Sequence, residues 1–367
     1  MINFDLLARI CKTPGAPGFE QQVRALVQKE LKGIVDEVSV DAMGNVVAIK
    51  RGKERKRAMV AAHMDEIGFI VTHVDDDGFI RFHTLGGFDP KTLTSQRVII
   101  HGREDVIGAI GCKPIHLMKP EERTKAYPIK DYFIDTGLPA AKVKELIEIG
   151  DSITRDRDLI EMGECVNGKS LDNRVSVYIL LETLRELKDE EVPYDIYGVF
   201  TVQEEVGLRG AISSAGHINP DFGFGLDVTI AFDVPGAQNH EMVTRLGKGT
   251  AIKIMDGMTI CDYRMVRYLK KLGTEQNIKW QPEVLTAGGT DTAGIQRYGK
   301  NGSIAGAISI PLRNMHQTIE TVNKADIRAT IDLLKAGLQN LNQYDWDFAN
   351  DGRSNKSTKD DDYADFL

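Results

Sequence analysis

Three short apolar runs in this chain each lead into ionisable residues, and that pattern limits the fold more than any other feature. Residues 58–62 (AMVAA) run into His63, residues 199–202 (VFTV) run into Gln203, Glu204 and Glu205, and residues 222–226 (FGFGL) run into Asp227. Runs this short and this continuous suit strands buried on both faces, as in a parallel sheet covered by helices. Helical periodicity lies between them. Over residues 173–187, Val177, Leu180, Leu181 and Leu184 fall on one face; over 19–31, Val23, Leu26, Val27 and Leu31 do the same, with Gly33 as a stop. Residues 209–216 and 261–272 also read as helices, residues 280–285 and 303–310 as strands. Asn323 is placed to cap a last helix whose face carries Ile327, Ile331, Leu334 and Leu338. This alternation predicts an α/β fold built on a mostly parallel sheet with helices on both faces.

The pattern breaks between residues 69 and 162. Residues 69–74 and 79–85 read as strands around the turn at Asp75, Asp76, Asp77 and Gly78, and residues 96–101 and 105–112 add two more. One short helix, 141–149, is expected there. The predicted organisation is a catalytic unit of residues 1–68 and 163–345 interrupted by a β-rich insertion of 69–162, with an acidic, disordered tail over 348–367. At 367 residues the chain is long enough for two such folded units.

A net charge of −8 argues against wrapping nucleic acid or lying on an anionic membrane. No apolar stretch reaches the ~18 residues needed to span a bilayer. The opening MINFDLLARICKTPG lacks a basic region followed by an apolar core. Cys11, Cys112, Cys165 and Cys261 are widely spaced, which speaks against a disulfide framework or a cysteine metal site. The expectation is a cytoplasmic protein with reduced thiols.

In an open α/β sheet, ligands bind beyond the carboxyl ends of the strands. His63, Glu204, Glu205 and Asp227 are expected there. Asp172 precedes a helix and His316 follows the strand at 303–310. Acids packed this closely repel, and burial raises their pKa values. Divalent cations remove the conflict: Asp172, Glu205 and Asp227 supply three negative charges, two cations four positive ones, and a hydroxide between them balances the site. With His63 and His316 as neutral donors, the set suits zinc, cobalt or manganese. Asp65, two residues after His63 in an extended segment, can orient its imidazole. Adjacent Glu204 and Glu205 point in different directions, which divides their labour between general base and ligand.

The segments AAHMDEIGFIV, LDNR, TVQEEVGL, GLDVT and NMHQTIE, in this order, resemble the TET-type di-metal aminopeptidases, a family that includes glutamyl aminopeptidases and members once named cellulase M. The resemblance extends to about residue 344 and implies a three-layer αβα domain like that of the zinc exopeptidases. It implies one cation on His63 and Asp227, a second on Glu205 and His316, Asp172 bridging both, Asp65 supporting His63, and Glu204 activating the attacking water. It also implies removal of the N-terminal residue from peptides, and assembly into hollow tetrahedral dodecamers through the insertion. Gly288, Gly289, Thr290 and Asp291 resemble a family segment close to substrate.

Four rival readings fit less of the chain. One is a non-enzymatic oligomeric scaffold, which missing ligands would favour, and none is missing. Residues 163–170 match the phosphate-binding pattern GxxxxGK[ST], but that pattern needs a helix beginning at Lys169 and Ser170, and it leaves His63, Asp227 and His316 idle. A glycosidase needs two carboxyls facing each other across a bond, which neighbours such as Glu204 and Glu205 do not provide. A related di-metal deacylase or carboxypeptidase would use the same centre. His73, His83, His101, His116, His217 and His240 have no acids at matching strand ends and are read as structural.

Overall fold

The alternation of buried residues along one strand divides the protein into layers. In the strand Glu54–His63, Ala58, Val60 and Ala62 join one hydrophobic core while Met59 and Ala61 join another on the opposite face. Helices cover both faces. Leu171–Leu187, Lys324–Gln339, Tyr263–Glu275 and Phe4–Lys12 build the larger core, and Arg209–Ile218 packs with Asp291–Tyr298 over the smaller. The structure, a computed structural model, describes residues 2–123, 125 and 127–348. The tail expected to be disordered lies outside the described residues beyond Phe348.

The large sheet has eleven strands. At its centre, Tyr194–Thr201, Glu54–His63, Phe222–Ile230 and Ile304–Arg313 run parallel in that spatial order. Its margins are antiparallel: Val46–Lys50 and Glu37–Val40 on one side, and Glu320–Asn323, Cys165–Gly168 and Ile160–Met162 on the other. Thr250–Met255 pairs antiparallel with Ile304–Arg313 and carries Trp280–Val284 as a parallel neighbour. The parallel centre is where the continuous apolar runs lie, because only there does helix cover both faces.

The β-rich segment closes into a barrel of six strands in the order Gly68–Val74, Ile80–Leu85, Phe133–Asp135, Asp105–Gly111, Arg97–His101 and Ser152–Arg155. It has its own core, which includes Phe69, Val71, Val98, Ile100, Ile134 and Ile153. Ile160–Met162, expected within the insertion, pairs instead in the large sheet.

Other differences have local causes. The helix Phe4–Lys12 was not expected, yet Leu6, Leu7, Ile10 and Cys11 form a buried stripe and Asn3 caps it by accepting from the Leu6 N–H at 3.1 Å. The phosphate-loop pattern is spent on structure. Cys165–Gly168 is an antiparallel strand, Ser170 has φ +61, and Asp172 and Asn173 are non-helical before the regular helix begins. Buried Lys169 donates to Glu66 Oε2 at 2.7 Å and to the Cys11 carbonyl at 2.9 Å. Among the described residues no helix is long and apolar enough to cross a membrane.

The absence of a side chain at Gly225 decides how closely Asp291–Tyr298 approaches the sheet. A Cβ there would lie 3.0 Å from Thr292 Cβ and 3.3 Å from its backbone Cα, closer than packed carbons normally come. Gly225→Ala is therefore expected to cost about 1–3 kcal/mol through overpacking. Scanning calorimetry should show a lowered midpoint; an unchanged one would mean the helix can retreat freely.

Candidate metal centre

Because the four central strands are parallel, they deliver their last residues to one edge of the sheet. His63 is the final residue of its strand and lies in register with Thr201, the final residue of the neighbouring one. Glu204 and Glu205 follow after Gln203, whose φ is +55. Asp227 is not at a strand end as expected. Its strand continues to Ile230 because Val228, Thr229 and Ile230 keep pairing with Ile310, Pro311 and Leu312. Asp172 stands where the Leu171–Leu187 helix begins, at a cis peptide with Asn173. His316 follows Arg313 in the next loop.

These residues converge. Asp172 turns Oδ1 toward His63 Nε2, 3.4 Å away, and Oδ2 toward His316 Nε2, 3.2 Å away. Asp227 Oδ1 and Glu204 Oε2 each lie 3.8 Å from His63 Nε2, and Glu205 Oε2 lies 3.7 Å from His316 Nε2. Three sets of ligand atoms sit within 4.8 Å of one another: His63 with Asp172 and Asp227, Asp172 with Glu205 and His316, and His63 with Glu204 and Glu205. The His63 side chain is 2% exposed and that of His316 32%, so the site opens on the His316 side.

A surrounding layer of acids holds this arrangement through backbone amides. Asp65 accepts the Glu204 N–H on Oδ1 and the Glu205 N–H on Oδ2, each at 3.1 Å. Its Oδ1 is also 3.3 Å from His63 Nδ1, which turns Nε2 into the site. Glu20 accepts the Gln203 N–H at 3.1 Å. Glu320 accepts the Asp172 N–H at 3.0 Å and the His316 N–H at 2.9 Å. The sequence reading assigned Asp65 only its His63 contact and missed Glu20 and Glu320. Glu320 closes the NMHQTIE segment and could have been suspected there. Glu20 accepts the Gly18 N–H close by at 2.8 Å, but nothing local marks its reach to Gln203, distant in the chain.

The charges do not balance among the side chains alone. Burial pushes Glu204 well above the usual carboxylate range, against the pull of His63, and repulsion from Asp227 and Glu205 adds to it. Burial, with repulsion from Asp172, moves Glu205 and Asp227 up to about 8. Asp172 goes the other way: its bonds to His316 and His63 outweigh burial and hold it well below the usual range. His316 is pushed up to about 9, its desolvation more than offset by Asp172 and Glu205. The buried Glu205 Oε1 has no hydrogen-bond partner among the described residues. Two imidazoles, three carboxylates, an idle buried oxygen and a deficit of positive charge fit divalent cations with oxygen and nitrogen ligands.

The 288–291 run contributes unevenly. Asp291 is buried, accepts the Thr201 hydroxyl and raises the pKa of Glu204 and Asp227 by its charge. Thr290 is turned to Asp256 and Thr292, and half-exposed Gly289 lies against Met258. Among the histidines read as structural, His101 has an acid partner after all. It bonds Asp105 at 2.8 Å and Thr154 at 2.9 Å within the barrel.

An αβα sandwich whose parallel strands bring such donors to one edge is the architecture of a metallopeptidase. The model of the M42 glutamyl aminopeptidase family matches residues 44–333. A putative aminopeptidase of Acetivibrio thermocellus is 38% identical over 90% of this chain and 97% of its own. Among solved structures, a TET aminopeptidase from a Thaumarchaeota archaeon superposes with a TM-score of 0.89 at 34% identity, covering 92% of this chain and 96% of that one. The Pyrococcus horikoshii TET1 peptidase, which can assemble into a tetrahedron or a large octahedral shell, gives 0.82 at 30% identity, covering 91% and 98%. The chain belongs to the M42 glutamyl aminopeptidase family, and is thus a hydrolase of the aminopeptidase class.

The raised carboxyls would make cation binding at this site pH-dependent. Without cations, Glu205 and Asp227 hold protons in the fold up to about pH 8 but release them near pH 4 when unfolded. Their contribution to stability is present below pH 4 and is lost as pH rises to 8. Cations held by these two carboxyls would take the place of those protons. The gap in thermal midpoint between cation-loaded and chelated protein should therefore widen from pH 5 to pH 8; a gap independent of pH would contradict the assignment.

Proposed function

We propose that this chain removes N-terminal residues from peptides using two divalent cations, zinc, cobalt or manganese, held by His63, Asp172, Glu205, Asp227 and His316. The observation that carries the reading is Asp172, with one oxygen toward each imidazole and another acid beside each pair. His63 and Asp227 would hold one cation, Glu205 and His316 the other, and Asp172 both. Cations bound there would polarise a substrate carbonyl and acidify a nearby water.

The chain's own groups do the rest. Glu204 is the general base. Its carboxyl is buried 3.8 Å from His63 Nε2 and is not among the proposed cation ligands, which leaves it free to accept a proton from the attacking water and hand it to the leaving amine. Asp65 holds the Glu204 and Glu205 amides and keeps the two side chains apart in role. A free substrate α-amine would bind one cation or a nearby acid, which restricts cleavage to the first residue. In the 288–291 run, exposed Gly288 and half-exposed Gly289 are open to a substrate, while Thr290 and Asp291 are buried and bond to Asp256 and Thr201.

The chain is also read as a cytoplasmic homo-oligomer, a tetrahedral dodecamer whose barrel makes contacts. Exposed Ile107, Ile115 and Leu117 on the barrel segment support this, as does the assembly of the Pyrococcus horikoshii relative. Four cysteines without a disulfide fit a reducing compartment.

A panel of aminoacyl-anilides and short peptides tests the activity, assayed after chelation and after return of zinc, cobalt or manganese. Cleavage is expected to vanish with chelation and return with the cations, and N-terminally acetylated peptides should survive. Cleavage of acetylated peptides would point to another amide hydrolase. Glu204→Gln should keep its bound cations, measured by elemental analysis, while kcat falls by roughly 10²–10⁴. Asp172→Asn should lose cations outright; near-normal turnover in either variant would refute its assigned role.

A further inference from the structure

We infer that Arg155, a residue of the barrel, is a positioning residue for His316, so that the inserted barrel helps to build the second cation site. The inference rests on the two-cation reading above.

His316 has φ +63, a left-handed conformation unfavourable for a residue other than glycine. Such a conformation persists only where its surroundings impose it. Two buried side chains grip the two sides of this residue. Glu320 Oε1 accepts the His316 N–H at 2.9 Å, and Arg155 Nη1 donates to the His316 carbonyl at 2.9 Å. Arg155 is 3% exposed and Glu320 fully buried. A guanidinium taken this far from water is costly unless it is used, and the Arg155 Nε has no partner among the described residues. Its hydrogen bond goes to the backbone of a proposed ligand.

Arg155 belongs to the barrel by its own pairing. It closes the strand Ser152–Arg155, in register with Val98, and its guanidinium lies 5.7 Å from the centre of the Phe88 ring, which stacks on Phe69 of the barrel core. Two further contacts join the barrel to the same loop. Thr318 Oγ1 donates to Gln96 Oε1 at 3.1 Å, and a Cβ on Gly87 would stand 3.5 Å from His316 Nδ1. The other imidazole is held without the barrel's help: His63 ends a central strand and leans on Asp65. Glu320 joins the two halves, because its second oxygen accepts the Asp172 N–H.

The asymmetry supplies the test. Metal-free full-length protein is titrated with Co²⁺ by calorimetry, as wild type, Arg155→Met and Arg155→Ala. Methionine keeps an unbranched apolar stem but has no donor. In both variants the weaker-affected site should stay within about threefold of wild type, while the other weakens roughly 10–100-fold. Glu205→Ala in the Arg155→Met background should remove the weakened site and leave the other. Millimolar guanidinium should restore much of the lost affinity in Arg155→Ala. Circular dichroism separates these outcomes from failure to fold, and Arg155→Met serves if the alanine variant does not fold. Two wild-type affinities in a folded Arg155→Met, or equal weakening of both sites, would overturn the inference. A wild-type protein that binds fewer than two Co²⁺ ions would instead remove the two-cation reading beneath it.

Discussion

One carboxylate with an imidazole at each oxygen organises this site. Asp172 stays ionised in the interior because His63 and His316 face it, and it raises both imidazoles in turn. The other acids each feel an imidazole more weakly, and burial outweighs that pull and drives Glu204, Glu205 and Asp227 toward their neutral forms. A group of acids in this state lacks positive charge, and the spacing of its ligand atoms leaves room for cations to supply it. Chemistry and stability are thereby linked: the groups that would work on a peptide are those that the fold tolerates least when alone.

The acids behind the site answer a different problem. Asp65 and Glu320 each use both carboxylate oxygens to accept backbone N–H groups, and Glu20 accepts two amides as well. The amides hold these carboxyls in place without drawing the cations away from the working ligands, although burial still raises Glu20 and, with repulsion from Asp172, pushes Glu320 up to about 8. The two halves of the centre differ in what stands behind them. His63 and Asp227 are fixed by the pairing of central strands, whereas His316 lies on a loop gripped between Glu320 and the barrel. The more open half is thus the one built from loops, as access for a peptide requires.

Much of this was legible in the residues. The continuous apolar runs before His63 and Glu204 mark the parallel centre, because strands covered on both faces need no polar alternation. The β-rich stretch after Asp65 stood out by its alternating strands and turns. Less legible were elements whose identity depends on partners. Thr250–Met255 and Glu320–Asn323 are strands because Ile304–Arg313 offers them hydrogen bonds, and Ile160–Met162 belongs to the large sheet through Cys165–Gly168. Asp227 was placed at a strand end, but register with Ile304–Arg313 carries that strand onward.

The sequence alone determined which chemical groups this chain brings and roughly where along the strands they fall: histidines and acids after apolar runs, and an insertion between His63 and Asp172. Local pattern suffices for that, because strand and helix period are properties of neighbouring residues. Only the tertiary structure decided that Asp172 shows one oxygen to each imidazole, that Glu20 and Glu320 hold the backbone behind the ligands, and that Arg155 reaches out of the barrel to His316. Each of those contacts joins residues from separate elements, and its distance depends on how sheet, helices and barrel pack, which no local pattern records.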